Sequence, residues 1–194
     1  MKIGRFLYRY RSITPIFFVI LLLIFAKPTI STIAIGFCVS IIGELLRLIS
    51  VGYSGLSTRS KNLRTEVLVT NGPYGYVRNP IYVGNFFLSC GVVLAANALF
   101  PYFILLFILL FFFQYYFIVR YEEVFLTERF GQDYLSYKKK VFAFIPRFVP
   151  YKAATPQKPD LKKALFSERT TIFVVMGLFL IIAAIYLIKI CIFA

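Results

Sequence analysis

Two short stretches hold the residue types best suited to chemistry. The first is Asn71-Gly-Pro-Tyr-Gly-Tyr-Val-Arg-Asn-Pro-Ile-Tyr-Val-Gly84. Gly72-Pro73 is a turn signal, and Gly75 admits backbone that other residues avoid. Pro80 suits the first position of a helix and pushes Asn79 to extended geometry, where asparagine is a good N-cap. Amide groups at such a helix start favour anions, and Arg78 beside them adds a planar fork for carboxylate or phosphate. A plain capped helix with a snorkelling arginine would use the same residues. The second stretch, Arg120-Tyr-Glu-Glu-Val-Phe-Leu-Thr-Glu-Arg-Phe-Gly131, follows directly on an apolar run. Adjacent acids there are costly unless paired. Helical neighbours point about 100° apart, so Glu122 and Glu123 address different groups. One is expected to accept hydrogen bonds from a ligand and the other to pair with Arg120 or a basic loop residue. Two solvated rim charges are the alternative.

Composition bounds what such residues can do. Of 194 residues, 60% are hydrophobic and 15% charged, and 22 basic residues oppose 8 acidic ones for a net charge of +14. Soluble domains average about 45–50% apolar residues and could not bury this surplus. Disorder, collagen-like chains and disulfide scaffolds are excluded as well. The chain has no histidine. That removes Ser-His-Asp triads, His-zinc chemistry and the one side chain that ordinarily titrates near neutrality. Cys38, Cys90 and Cys191 lie far apart in apolar stretches and are expected to be buried packing residues.

The elements that position the two stretches are therefore expected to be all-α and polytopic. A hydrocarbon layer of about 30 Å takes about 20 helical residues. Stretches 30–49, 80–97, 99–119 and 170–188 qualify or nearly do, and 13–26 is a marginal fifth. No small-residue cleavage site follows 13–26, which favours a retained helix. With the N-terminus cytoplasmic and all five crossing, 20 of the 22 basic residues fall inside, leaving Lys27 and Lys189 outside. That satisfies the positive-inside rule. Cytoplasmic segments 50–79 and 120–150 then carry the chemistry, with Ala98 alone between the third and fourth helices. Residues 1–150 form the expected core, and 151–194 a linker plus a C-terminal transmembrane helix.

Inside the membrane, Gly36, Ser40 and Gly43 are spaced for close helix approach. Glu44, one turn from a helix end, is a functional candidate at that depth, or simply an i, i+3 partner of Arg47. Asn85 is the other deep polar residue. The basic run holding Arg59, Lys61 and Arg64 suits a lipid headgroup or is merely the topology signal. Tyr115, Tyr116 and Tyr121 are expected to form an interfacial belt.

Gly72-Pro73-Tyr74 leading into Arg78-x-Pro80-x-Tyr82-x-Gly84 resembles the isoprenylcysteine carboxyl methyltransferase and phospholipid N-methyltransferase superfamily. Glu122-Glu123, Glu128-Arg-Phe-Gly131, Tyr134, Tyr137 and Pro146-Arg-Phe148 support the resemblance, which runs from about residue 43 to residue 150. It implies an integral-membrane enzyme that binds S-adenosylmethionine on its cytoplasmic side. The methyl acceptor would be a lipid amine or a prenylcysteine-type carboxylate. It further implies a cofactor pocket from Gly72, Pro73, Tyr74, Tyr76, Val77, Arg78, Asn79, Pro80, Tyr82, Glu122 and Glu123, with Arg78 and Glu123 closest to catalysis. Many relatives carry histidine where this chain has Asn79, so an imidazole base is closed here. Substrate or headgroup contacts are expected of Glu44, Arg59, Lys61, Arg64 and Asn85. The expected partners are a membrane lipid or lipidated substrate, with no nucleic acid and no metal.

Two other readings compete. A nicotinamide-dependent membrane reductase of sterol-reductase-like type would need a cofactor fingerprint, and no Gly-x-Gly-x-x-Gly is present. The other is a non-catalytic scaffold or small transporter; transport would be expected to place polar residues deep in several helices, and only Glu44 and Asn85 approach that.

Overall fold

The computed structural model describes residues 2–55, 67–152 and 156–193. Arg59, Lys61 and Arg64 lie outside the described residues. The order is α1 (Lys2–Tyr10), α2 (Ile16–Ile24), α3 (Ile30–Ser54), a 3-10 turn (Gly72–Gly75), α4 (Pro80–Ala96), α5 (Tyr102–Lys140) and α6 (Leu161–Phe193). The chain is all-α and membrane-embedded. α3, α5 and α6 are long and apolar enough to cross a membrane, and α4 is a shorter apolar helix.

α3 begins at a capping box that the sequence reading did not anticipate: Thr32 N–H donates to Thr29 Oγ1 at 3.2 Å and Thr29 N–H to Thr32 Oγ1 at 2.9 Å. The small residues of α3 meet a matching set on α4. Cβ atoms at Gly36 or Gly91 would strike backbone of the opposing helix, and Gly43 faces Gly84 and Leu88. Ser40 Oγ donates to the Leu88 carbonyl at 2.9 Å and Thr32 Oγ1 to the Ala95 carbonyl at 3.4 Å, so the close approach also satisfies hydroxyls at the seam.

α4 ends at Ala96, and α5 starts only at Tyr102. The connection is therefore longer than Ala98 alone, because Asn97 turns into left-handed geometry and Pro101 delays the next helix. Along α5, Phe103, Phe107, Phe111 and Tyr115 recur every fourth residue and are buried. They face α2 and α4, with Phe18 packed on both Phe103 and Phe107. Phe112, Phe113 and Tyr116 on the other side are exposed. The expected tyrosine belt is corrected accordingly. Only Tyr116 is a surface residue, while Tyr115 is core and Tyr121 packs on Tyr8.

The segment 13–26 contains a helix of nine residues, about 14 Å long and under half a hydrocarbon layer. It continues a line begun by α1. Gly4 abuts the Phe117 carbonyl, Thr14 donates to Gln114 at 2.9 Å and Phe25 reaches Phe103. α1 thus packs against the part of α5 around Phe117 and Tyr121, and α2 meets its earlier turns through Phe18 and Phe25.

α5 does not stop where its apolar stretch ends at Val119. It continues through the expected loop as a helix to Lys140, interrupted at Gly131 with φ 52° and ψ −124°. Non-glycine residues are strained there. α6 packs antiparallel on α3, with Asp160 N–H donating to the Gly52 carbonyl at 2.9 Å, Phe179 against Phe37 and Lys189 Nζ donating to the Ala26 carbonyl at 2.6 Å. Asp160 caps α6 by accepting from Lys163 N–H at 3.0 Å. The cysteines are not buried as expected. Cys38 and Cys191 are on the outer surface and Cys90 is half-buried, because their helices turn those faces toward lipid.

Candidate active site

Ionisable residues gather at one end of the bundle, where α4 begins and α5 leaves its apolar stretch. Tyr82 OH donates to Glu122 Oε1 at 2.5 Å. One residue on, Glu123 is held from two sides, by Arg78 Nη2 at 2.8 Å and by Lys138 Nζ at 2.7 Å. The two acids thus divide their work. Neither pairs with Arg120, which is exposed and lies over the Tyr116 ring instead.

Lys138 reaches Glu123 only because of Gly131. In an uninterrupted helix, residues 15 positions apart would be about 22 Å apart along the axis, beyond the reach of both side chains. The break turns the last helical turns of α5 back toward the preceding ones. Tyr134 and Tyr137 are buried in consequence and pack with Val141 against Leu68, Leu126, Phe130 and Tyr151.

The segment from Asn71 to Asn79 is clamped from the other side by the chain after α5. Arg78 N–H donates to the Phe142 carbonyl at 2.9 Å, Arg147 N–H to Tyr76 at 3.0 Å and Tyr151 N–H to Gly75 at 2.8 Å. Tyr137 OH donates to the Tyr74 carbonyl at 2.6 Å. Gly72 takes φ 59° under the ring of Tyr53, where a Cβ would not fit. Pro73 opens the 3-10 turn, and Pro80 and Val77 are buried. Tyr76 points outward at 41% exposure. Asn79 occupies the N-cap position, but its amide does not cap the helix. It donates to the Ala143 carbonyl at 3.1 Å, so it ties the motif to the clamping strand of chain.

Arg78 is the most informative of these residues. Its side chain is 10% exposed and pairs through Nη2, while its Nε and Nη1 are buried with no hydrogen-bond partner among the described residues. Buried guanidinium donors are costly to leave unused, so these two atoms are available to an oxygen acceptor. Glu122 is tuned as well. Burial pushes its carboxyl up to about 7, against the pull of the Tyr82 hydroxyl and of Arg11. In the sequence, Arg11 and Lys138 read only as basic surface or topology charges, and Arg47 only as the i, i+3 partner of Glu44, a pairing the structure shows. Their proximity depends on which helices pack, and no local pattern announces it.

Glu44 and Asn85 converge on Arg47. Glu44 Oε2 lies 3.3 Å from Arg47 Nε, and Asn85 Oδ1 accepts from Nη1. A cavity of about 880 Å³ opens between α1 and α5, lined by residues including Lys2, Gly4, Arg120, Tyr121 and Lys138. Of the residues expected to form the cofactor pocket, only Glu123 borders it. It reaches the acid pair through Glu123, and neither Arg78 nor Tyr82 lines it.

Fold and site together define an all-α membrane-embedded protein with a buried charged cluster at one end of its helices. The family model for phospholipid methyltransferases matches residues 30–133, and the chain belongs to the isoprenylcysteine and phospholipid methyltransferase family. It is 35% identical over 124 residues to the protein-S-isoprenylcysteine O-methyltransferase of Tribolium castaneum, covering 61% of this chain and 43% of that one. To the proteins of that name from Rattus norvegicus and Schizosaccharomyces pombe it is 34% and 35% identical, over 58% and 59% of this chain and 40% and 49% of theirs. The matched part is thus less than half the length of each of these relatives. No solved structure matches the chain at a significant level.

Proposed function

We propose that the chain is an S-adenosylmethionine-dependent methyltransferase acting on a membrane-embedded, lipid-like acceptor, with its site on the cytoplasmic face. The observation that carries this reading is Arg78, buried beside Glu123 with two donor atoms unspent. The residues present fit the cofactor. Arg78 offers donors to its carboxylate, Glu122 and Glu123 offer acceptors to its ammonium and ribose hydroxyls, and Tyr74 and Tyr82 offer aromatic faces to its sulfonium. When bound, that group supplies an electrophilic methyl.

The protein's own share is alignment. Displacement at a methyl group needs the acceptor held in line and water kept away far more than it needs proton transfer. A carboxylate acceptor is already nucleophilic at neutral pH, and an amine need only release a proton to water or to Glu122. A hydroxyl acceptor would need a strong base, and the chain has no histidine to supply one. The relatives' name favours a prenylcysteine-type carboxylate, and the family model leaves a lipid amine as the second reading. The cytoplasmic placement is supported by the charge distribution. Lys27 and Lys189 meet at one end of the bundle, since Lys189 bonds Ala26, whereas Arg47, Arg78, Lys138 and Arg147 gather at the other.

The test is calorimetry of the detergent-purified chain with S-adenosylhomocysteine, followed by transfer of labelled methyl to lipid extracts and to a prenylated cysteine. Binding with base-labile label identifies an ester, and base-stable label identifies an N-methyl lipid. A chain that binds no S-adenosylhomocysteine overturns the proposal.

A further inference from the structure

Between α3 and α6 lies an ion pair that the proposed reaction does not require. Arg47 Nη2 donates to Glu168 Oε2, with side-chain exposures of 12% and 1%. Thr171 Oγ1 accepts from the same nitrogen at 3.4 Å and Glu44 lies on Nε. An apolar pair would join two helices in lipid at least as well, so burial of these charges calls for another reason.

The contacts continue inward from Arg47. Its Nη1 donates to Asn85 Oδ1, and Asn85 Nδ2 donates to Tyr115 Oη at 2.8 Å. The Tyr115 ring lies 4.6 Å from that of Tyr82, whose hydroxyl donates to Glu122. One continuous line of polar and aromatic contacts therefore joins α6 to the acid pair. Each member has its orientation set by the next. The amide of Asn85 accepts from a cation on one side and donates to a phenol on the other, so reversing it would break both bonds. Glu168 falls beyond residues 30–133, the part matched by the family model.

Resting on the donor-site reading above, we infer that Glu168 is a positioning residue for that site. It holds Arg47, which orients Asn85, which fixes Tyr115 against Tyr82 and so aims the Tyr82 hydroxyl at Glu122. α6 is on this account part of the active structure and more than an anchor.

The experiment measures S-adenosylhomocysteine affinity and thermal unfolding together, on the full chain in detergent. Glu168→Gln is expected to weaken binding about tenfold, and Glu168→Asp to recover most of the loss. Glu168→Gln leaves a buried charge that can itself impair folding. The paired change Arg47→Met with Glu168→Leu, made together with Glu44→Gln so that no buried carboxylate is stranded, is expected to fold at least as well as the wild type and should still bind about tenfold more weakly. In a cycle with Tyr82→Phe, the combined loss is expected to fall short of the product of the separate losses. Unchanged affinity in the paired variant, with only the melting temperature altered, overturns the inference while leaving the donor site intact. A wild-type chain that binds no S-adenosylhomocysteine overturns the donor-site reading, and this inference with it.

Discussion

Glu122 and Glu123 are sequence neighbours with different surroundings, and each makes its own prediction. The Glu122 carboxyl is raised to about 7 from an ordinary 4.5, so the folded protein favours its protonated form. By linkage this group adds stability below its folded pKa and loses it as pH climbs from about 4.5 through about 7. A bound cation needs the ionised form. S-adenosylhomocysteine affinity is therefore expected to rise with pH through about 7, and Glu122→Gln to flatten that profile; an unaltered profile in the variant would remove Glu122 from the site. Glu123 keeps Lys138 when Arg78 is removed. Breaking one side of a buried pair costs about 3–5 kcal/mol in general; with Lys138 remaining, Arg78→Ala is expected to cost about 2 kcal/mol of stability. The same change should weaken S-adenosylhomocysteine at least about tenfold, a loss of about 1.4 kcal/mol. Arg78→Lys keeps the charge without the fork and is expected to bind at an intermediate level. Calorimetry and thermal melting on the three proteins decide it, and equal affinities would remove Arg78 from the donor site.

At the scale of elements, one residue reshapes α5. Gly131 at φ 52° turns the last helical turns back so that Lys138 meets Glu123. An alanine there is strained by about 1–3 kcal/mol. Gly131→Ala is expected to lower the melting temperature and to open the segment after residue 131 to protease, with weaker cofactor binding as the second readout. A variant as protease-resistant as the wild type would show that the reversal does not depend on glycine. The α3–α4 seam makes a parallel case. Gly91 faces the backbone of Gly36 and the hydroxyl of Ser40, so Gly91→Ala is expected to force the helices apart and cost about 1–3 kcal/mol. Thermal melting checks this, and an unchanged midpoint would mean that the seam can relax.

For the whole molecule, the decisive issue is which end faces which compartment. The described helices carry their charges asymmetrically, with Lys27 and Lys189 together at one end and the acid pair at the other. In a chain freed of Cys38, Cys90 and Cys191, a Lys27→Cys variant is expected to react with a membrane-impermeant thiol reagent on intact cells. An Arg120→Cys variant is expected to react only after permeabilisation. The reverse pattern would place the site outside and overturn the proposed orientation.

The chain's helical, membrane-embedded character was legible from composition and from the length of its apolar runs, because lipid leaves a backbone few alternatives to the helix. The arginine motif and the acid pair were each legible as well, because charges at a membrane rim are too costly to be placed casually. That they stand together was implied only by the family resemblance, and it is Glu123 that Arg78 pairs with. The order of apolar runs did not reveal that α5 continues as a helix past Val119, nor that it reverses at Gly131. Glycine in a helical pattern reads as tolerated, and its positive φ becomes visible only in three dimensions. Nor did it reveal that Asn79 ties its amide to Ala143 in place of the helix. Arg11, Arg47, Lys138 and Glu168 are the clearest case. In one dimension Arg11 and Lys138 are basic charges at the membrane surface, Arg47 is a local partner of Glu44 and Glu168 carries no signal. In the folded chain Arg11 acts electrostatically on Glu122, Lys138 bonds Glu123, and Arg47 pairs with Glu168 and Asn85 as well. Local chemistry and hydropathy act between neighbours in sequence and can be found there. Which distant charge neutralises which is decided by helix packing, and only the tertiary structure contains that.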